Sequence, residues 1–165
     1  MSTRPPAPPA VRAVVIADPQ ALPARIGTGY PAPYAALCQT REKRALGDAG
    51  GLQNFGVNLV TLPPGQGSAH RHWHTRQDEF VWVLEGTLTL VTDAGETQLE
   101  PGQCACFPAG APDGHHLVNK SAVAARYLEV GDRLPGDAAV YPDIDMRATG
   151  GRVPYSFTRK DGSSF

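Results

Sequence analysis

Long apolar runs are missing from this sequence. Stretches such as Phe80–Leu84 reach only strand length, whereas a membrane-crossing helix needs roughly 20 apolar residues. A preponderance of one charge is missing as well: 15 Lys and Arg stand against 16 Asp and Glu, spread along the chain, for a net charge of −1. This excludes the basic footprint of a nucleic-acid-binding protein and the polybasic patch of a membrane-surface protein. Cysteine is scarce. Three residues, Cys38, Cys104 and Cys106, are too few and odd in number for a disulfide framework, which argues against an oxidising compartment. The apolar run Ala13–Ala17 is closed at once by Asp18-Pro19 and is too short for the apolar region of a secretory signal. A cytoplasmic protein with neither nucleic-acid nor membrane partners is expected.

Glycine and proline are abundant, at 18 and 16 of 165 residues. They break the chain into short runs at close intervals, the pattern of an all-β domain with many turns. The length suits one domain with a real core. Residues 1–45 are expected to form a Pro/Ala-rich N-terminal arm: Thr3–Ala10 is mostly proline and alanine, and prolines recur at 19, 23, 31 and 33, as in a polyproline-like segment. Within it, Tyr34–Leu46 fits either a short helix or an edge strand. Residues 46–135 are expected to form the barrel and 136–165 a loop-rich tail.

Strand signals begin at Gly56. Gly56–Leu62 alternates and stops at Pro63-Pro64-Gly65; Ser68–His74 is extended; Glu79–Leu84 is β-branched and aromatic. Gly86–Thr92 and Glu96–Leu99 flank Asp93-Ala94-Gly95, a hairpin turn with glycine where a positive φ is needed. Gln103–Phe107, His115–Asn119 and Val123–Val130 follow. About eight short strands point to a closed antiparallel barrel or jelly roll. Beyond Gly131, Leu134-Pro135-Gly136, Tyr141-Pro142-Asp143 and a Gly-rich stretch before Tyr155 predict loops.

The chemistry lies in His72-Trp73-His74, in Glu79, and in His115 some thirty-five residues on. Two residues apart on a strand, His72 and His74 project their rings from the same face. The polar cluster Thr75–Asp78 must turn the chain so that Glu79 aims back at those rings, with Val81 and Val83 inward and Phe80, Trp82 and Leu84 outward. Asp78 falls on the opposite side and reads as a turn residue. His115, Leu117 and Asn119 share the inward face, and His116 points out. Three imidazoles and a carboxylate suit a divalent transition metal (iron, manganese, nickel, cobalt or zinc) better than calcium or magnesium.

These residues resemble the two motifs of the cupin superfamily. The first appears as His72-x-His74, four residues, Glu79, six residues, Gly86; its leading glycine is displaced, Gly67 standing one position too near and Gly65 one too far. The second appears as Gly102, five residues, Pro108-x-Gly110, four residues, His115, three residues, Asn119, with two extra residues before His115. The stretch His72–Gly86 is similar to small single-domain bacterial cupins. The resemblance covers residues 56–130 and implies a double-stranded β-helix, or jelly-roll barrel. It also implies metal ligation by His72, His74, Glu79 and His115, and one of four chemistries: dioxygenation, decarboxylation, sugar isomerisation, or a lyase or hydration step.

Three histidines and one glutamate leave two adjacent positions open on an octahedral ion. Two functions fit such a site: a metal-dependent enzyme acting on a small oxygen-rich organic molecule, or a small-ligand binding or sensing protein whose metal is structural. A DNA-binding regulator is disfavoured, because residues 1–50 carry too many prolines for a helix-turn-helix. His70, in phase with His72 and His74, is the candidate acid–base or supporting residue. Cys104 and Cys106 share a face and are expected as small buried side chains. Arg71, Arg76 and Arg126 are expected on the solvated surface. Tyr141–Asp145 is expected either to flap over the barrel mouth or to wrap its outside. The apolar outward face of Phe80, Trp82 and Leu84, and the habit of similar cupins, imply a homodimer.

Overall fold

In a computed structural model of the chain, residues 12–150 and 155–165 are described. Thr3–Ala10 and positions 151–154 of the Gly-rich stretch lie outside them. In chain order the strands are β1 (Arg25–Ile26), β2 (Glu42–Ala45), β3 (Phe55–Leu62), β4 (Trp73–His74), β5 (Glu79–Glu85), β6 (Leu88–Thr92) and β7 (Gly95–Leu99). They continue as β8 (Cys104–Phe107), β9 (His116–Val118), β10 (Ala125–Asp132), β11 (Ala138–Val140), β12 (Arg147–Thr149) and β13 (Ser156–Thr158). Helix is confined to α1 (Leu46–Ala49) and two short 3-10 turns among the described residues.

One antiparallel sheet runs β1-β2-β3-β10-β5-β8. Two others, β7-β6-β9 and β13-β12-β11-β4, are joined by isolated bridges from Gly67 to Val118 and from His72 to His115. The period-2 alternation sends Val60 and Leu62 of β3, Val81 and Val83 of β5, and Ala125 and Tyr127 of β10 to one face. Leu88, Leu99 and Leu117 close over them from the facing sheet. Each such Val or Leu contributes roughly 1.5–3 kcal/mol by leaving water. The result is the jelly-roll barrel.

The hairpin turn behaves as its sequence dictates: Gly95 has φ +117° and Thr92 Oγ1 accepts the Ala94 N–H. The displaced glycine of the first motif is resolved by geometry. Gly65 takes the left-handed conformation, φ +77°, and closes a turn from Pro63, whose carbonyl accepts the Gln66 N–H. Gly67 serves a different end, since a Cβ there would stand 2.8 Å from Leu37 Cγ.

Three expectations need correction. The segment beyond Gly131 is not all loop: β11 pairs with β4, β12 with β11 and β13 with β12. These strands are three residues each, too short for alternation to show in sequence. The second is the arm, whose residues 25–26 and 42–45 extend the six-stranded sheet; Tyr34–Leu46 holds both a 3-10 turn at Ala36–Cys38 and a strand. The third is Cys104 and Cys106, which are exposed, because Ala105 and Phe107 occupy the inward positions of β8 and pack on the core. A second cluster of Ala139, Tyr141, Met146 and Ala148 is covered by Tyr30 and Tyr34 of the arm and by Tyr155 and Phe157 of the tail.

Candidate metal centre

Each of the four polar side chains is delivered by a different piece of backbone. His72 exchanges two backbone hydrogen bonds with His115, at 3.1 and 2.9 Å, so those two rings start from facing positions. His74 lies in β4, paired with Ala139, and Glu79 opens β5, opposite Gly131 of β10. The rings of His72 and His74 stand 5.1 Å apart and those of His72 and His115 5.4 Å apart. The extra residues before His115 form part of a loop at whose end Gly114 admits Pro142, which a Cβ would meet at 2.8 Å.

One oxygen gathers the cluster. Glu79 Oε2 is 3.1 Å from His115 Nε2, 3.6 Å from His74 Nε2 and 3.9 Å from His72 Nε2. The ligand atoms of His72, His74 and Glu79 all lie within 4.8 Å of one another, and His115 joins them through its contact with Glu79. Ligands at right angles on an ion with bonds of about 2.1 Å stand roughly 3 Å apart, and the 3.1–3.9 Å contacts of Glu79 Oε2 lie near that separation.

The donor set fits as well. Each Nδ1 faces an oxygen acceptor: His70 O for His72 at 2.8 Å, Asp137 Oδ2 for His74 at 2.5 Å and Asp113 O for His115 at 3.1 Å. A carbonyl or carboxylate oxygen cannot donate, so each Nδ1 carries a proton and each Nε2 is turned to the centre, able to ligate once it is unprotonated. Phe107 stacks on His115 at 3.7 Å and 4°, and Tyr141 stacks on His72 at 5.5 Å, which limits ring rotation.

At His72 and Glu79 the electrostatics favour the bare ligand. Burial, with His74 and His115 adding to it and Glu79 opposing it, holds the His72 imidazole down at about 4. Burial pushes the Glu79 carboxyl up, but the His115 hydrogen bond and the His74 and His72 rings outweigh it and hold it down at about 2. At His74, burial is overcome by Asp137 and Glu79, which raise its pKa.

Residues 58–131 match the cupin domain family. A sugar phosphate isomerase of the cupin superfamily from Silicibacter pomeroyi is 49% identical over 90% of this chain and 94% of its own, with a TM-score of 0.85. The chain belongs to the cupin superfamily. A protein from Acidithiobacillus ferrooxidans, provisionally described as a sugar phosphate isomerase, is 30% identical over 74% of this chain and 78% of its own, at a TM-score of 0.66. A polyketide cyclase from Streptomyces resistomycificus shares the fold, with 23% identity over 72% and 79% of the two chains and a TM-score of 0.58. A search of curated proteins gave no match.

In this cupin the structure brings His72, His74, Glu79 and His115 together. It places His70 elsewhere. The His70 Nε2 is 2.8 Å from Tyr34 O, and its ring packs against Tyr30 and Tyr34. Its side chain anchors the arm, and only its backbone carbonyl supports the centre. Arg71 pairs with Asp143 at 2.7 Å and with Asp93, and Arg126 pairs with Glu85, which are exposed acidic partners. Arg76 contributes its backbone N–H to Asp137 Oδ1 at 2.9 Å. Asp78 accepts the Ala109 N–H at 2.8 Å, as a turn residue should. Tyr141 is buried beside His72, while Asp143 reaches out to Arg71.

Asp137 is the functional residue that sequence reasoning missed. It is 1% exposed and binds His74 Nδ1, Thr75 Oγ1 and the Arg76 N–H. Burial pushes its carboxyl up, and the hydrogen bond from His74 holds it below the ordinary range nonetheless. An open apolar pocket of about 470 Å³, lined in part by Phe55, Phe80, Phe107 and Val130, includes Glu79 in its wall. None of the three histidines lines it.

A pH dependence follows for metal-stripped protein. The folded state binds the His72 proton less readily than the unfolded chain, with values of about 4 and 6.5. The stability tied to that neutral ring is full above pH 6.5 and is lost as pH falls towards 4, on the order of 3 kcal/mol. Glu79 adds a loss between its ordinary 4.5 and about 2. His74, with a raised pKa, acts oppositely, its contribution fading as pH rises. Melting temperatures of the stripped protein should therefore drop between pH 6.5 and 4, and His72→Asn should flatten that interval. An unchanged slope in His72→Asn would refute the assignment.

Proposed function

We propose that this cupin binds one divalent first-row metal through His72, His74, Glu79 and His115 and interconverts aldose and ketose forms of an open-chain sugar, in the manner of a sugar phosphate isomerase. The observation that carries the metal site is the convergence of three Nε2 atoms on one Glu79 oxygen, with every Nδ1 anchored to an oxygen. The substrate class is supported by the 49% identity, across nearly the whole chain, with a protein described as a sugar phosphate isomerase.

When bound, the metal supplies Lewis-acid polarisation of neighbouring substrate oxygens, which acidifies the adjacent C–H. The chain's own residues hold and orient that centre. Glu79 lends a negative charge that retains a divalent ion. The Asp137 carboxylate, the His70 and Asp113 carbonyls, and the Phe107 and Tyr141 rings hold the three imidazoles in one orientation, in which they would hold the ion. Val81, Val83 and Leu117, each two to four residues from a metal-centre side chain, are buried in the apolar core, and such low-dielectric surroundings strengthen polar contacts nearby.

The test is incubation of metal-loaded protein with a panel of aldose phosphates in deuterated water, followed by NMR. Ketose formation with deuterium at the carbon next to the carbonyl, abolished by chelation and restored by metal, is expected. Tight binding of the panel without turnover would contradict the enzyme reading and favour a non-catalytic binding cupin. The outward face of Trp82 and Leu84, 45% and 40% exposed, supports a homodimer; light scattering at the monomer mass of 17.5 kDa would exclude it.

A further inference from the structure

A charged group lies inside the barrel, apart from the four metal-centre side chains. Lys43 of β2, Asn58 of β3 and Glu129 of β10 all project inward: Lys43 stands opposite Val60, and Asn58 and Glu129 stand opposite each other. Lys43 Nζ donates to Glu129 Oε1 at 2.6 Å and Asn58 Nδ2 donates to the same oxygen at 3.1 Å. Among the described residues no hydrogen bond reaches Glu129 Oε2, and the side chain is 21% exposed. The Lys43 ammonium has three donors, and one is used.

β10 is an interior strand, flanked by β3 and β5, and Tyr127, two residues before Glu129, is fully buried. The 21% exposure of the Glu129 side chain therefore lies on the inward face of the sheet, the face of Val81 and Asn58. Glu79 is open to the same degree, 21%. Glu129 stands opposite Val81 and Glu79 opposite Gly131, so the two glutamates are diagonal neighbours on adjacent strands, roughly 7–8 Å apart. Burial pushes the Glu129 carboxyl up, and the Lys43 charge and hydrogen bond hold it below its usual range.

An ion pair inside a barrel is a poor device for stability, because desolvation offsets the Coulombic gain, and an apolar pair of similar size is often as stable or more so. A carboxylate with one oxygen left open towards a metal site, beside an ammonium with spare donors, is instead suited to a ligand. It offers both acceptors and donors with no net charge, which matches hydroxyl groups better than an anion.

We propose that Lys43, Asn58 and Glu129 form a second subsite of the lumen that holds the hydroxylated carbon chain of a substrate whose oxygen-bearing end lies at the metal centre. This rests on the reading of His72, His74, Glu79 and His115 as that centre, and it narrows the substrate to polyhydroxylated, open-chain molecules a few carbons long. The pair thereby selects for chain length and hydroxylation, while the metal centre serves any chelating head.

The test uses calorimetric titration of metal-loaded protein with two α-hydroxy acids. Glycolate and D-arabinonate offer the same chelating head, and only D-arabinonate has a hydroxylated tail. D-Arabinonate should bind roughly tenfold more tightly, the equivalent of one to two net hydrogen bonds. In the double variant Lys43→Met/Glu129→Leu, which replaces the pair by apolar groups, this advantage should vanish while glycolate affinity stays unchanged. Glu129→Gln and Asn58→Leu, read the same way, cover the case in which the double variant does not fold. Equal binding of the two acids by the unmodified protein, binding of neither, or a preference that survives in the variants would overturn the proposal. If aldose phosphates are not turned over but the preference collapses in the variants, isomerisation fails and the subsite stands. If turnover occurs and the preference survives, the subsite alone fails.

Discussion

Asp137→Ala is expected to weaken metal binding by about 10–100-fold, as loss of a carboxylate behind a ligating histidine does, and to destabilise the metal-free protein by about 3 kcal/mol. Both effects come from the same atoms. The Asp137 carboxylate fixes the His74 tautomer through Nδ1 and also receives Thr75 Oγ1 and the Arg76 N–H. Without it, buried donors lose their acceptor, each at a cost of roughly 1–3 kcal/mol. The His74 ring is then free to turn its proton towards the centre. Asp137→Asn, of the same shape but uncharged, should fall between. Competition against a coloured chelator gives the affinity, and thermal unfolding of stripped protein gives the stability. Affinity unchanged in Asp137→Ala would mean that His74 is oriented by something other than this carboxylate.

Gly86→Ala is expected to destabilise the fold by about 3 kcal/mol or more. Two independent penalties meet at this turn between β5 and β6. The residue sits at φ +70°, where a side chain costs about 1–2 kcal/mol, and the added Cβ would lie 2.9 Å from both Cα and Cβ of Ala125 and 3.0 Å from Ala124 O. Those are backbone and core atoms that cannot swing away, so overpacking adds roughly 1–3 kcal/mol. Gly65→Ala separates the two contributions, because Gly65 has φ +77° with nothing within 4 Å of its Cβ position. Denaturant unfolding should show Gly65→Ala losing only the backbone part. Equal losses at both positions would remove the collision with Ala125 from the account.

What the sequence disclosed, and what it hid, follows from the range of each interaction. The shared face of His72 and His74, the inward Glu79 and the outward Trp82 are consequences of a period of two, which is local, and each was legible. His115 became legible only through the spacing of its motif. Asp137 was not, because its link to His74 spans 63 residues and a single aspartate after Leu134-Pro135-Gly136 reads as turn chemistry. His70 shows the limit of parity: it shares a phase with His72 and His74, but the Tyr34 carbonyl and the Tyr30 ring draw it to the arm. Glu129 alternates correctly with Tyr127 on β10, yet only the register of β2 against β3 and of β3 against β10 reveals that Lys43 reaches it. The strands β11 to β13 were hidden because three residues make little more than one alternation. Cys104 and Cys106 were misjudged on residue type, when the neighbouring Phe107 decides which face turns inward.

The central claim is that four side chains, held in one tautomeric and rotameric arrangement, form a single metal site. Elemental analysis of protein purified without an affinity tag, beside a His74→Ala variant of verified fold, tests it most directly. About one equivalent of iron, manganese, nickel, cobalt or zinc per chain in the first sample, and a small fraction of that in the second, is the predicted result. Equal metal content in the two, or none in either after incubation with each ion, would contradict it.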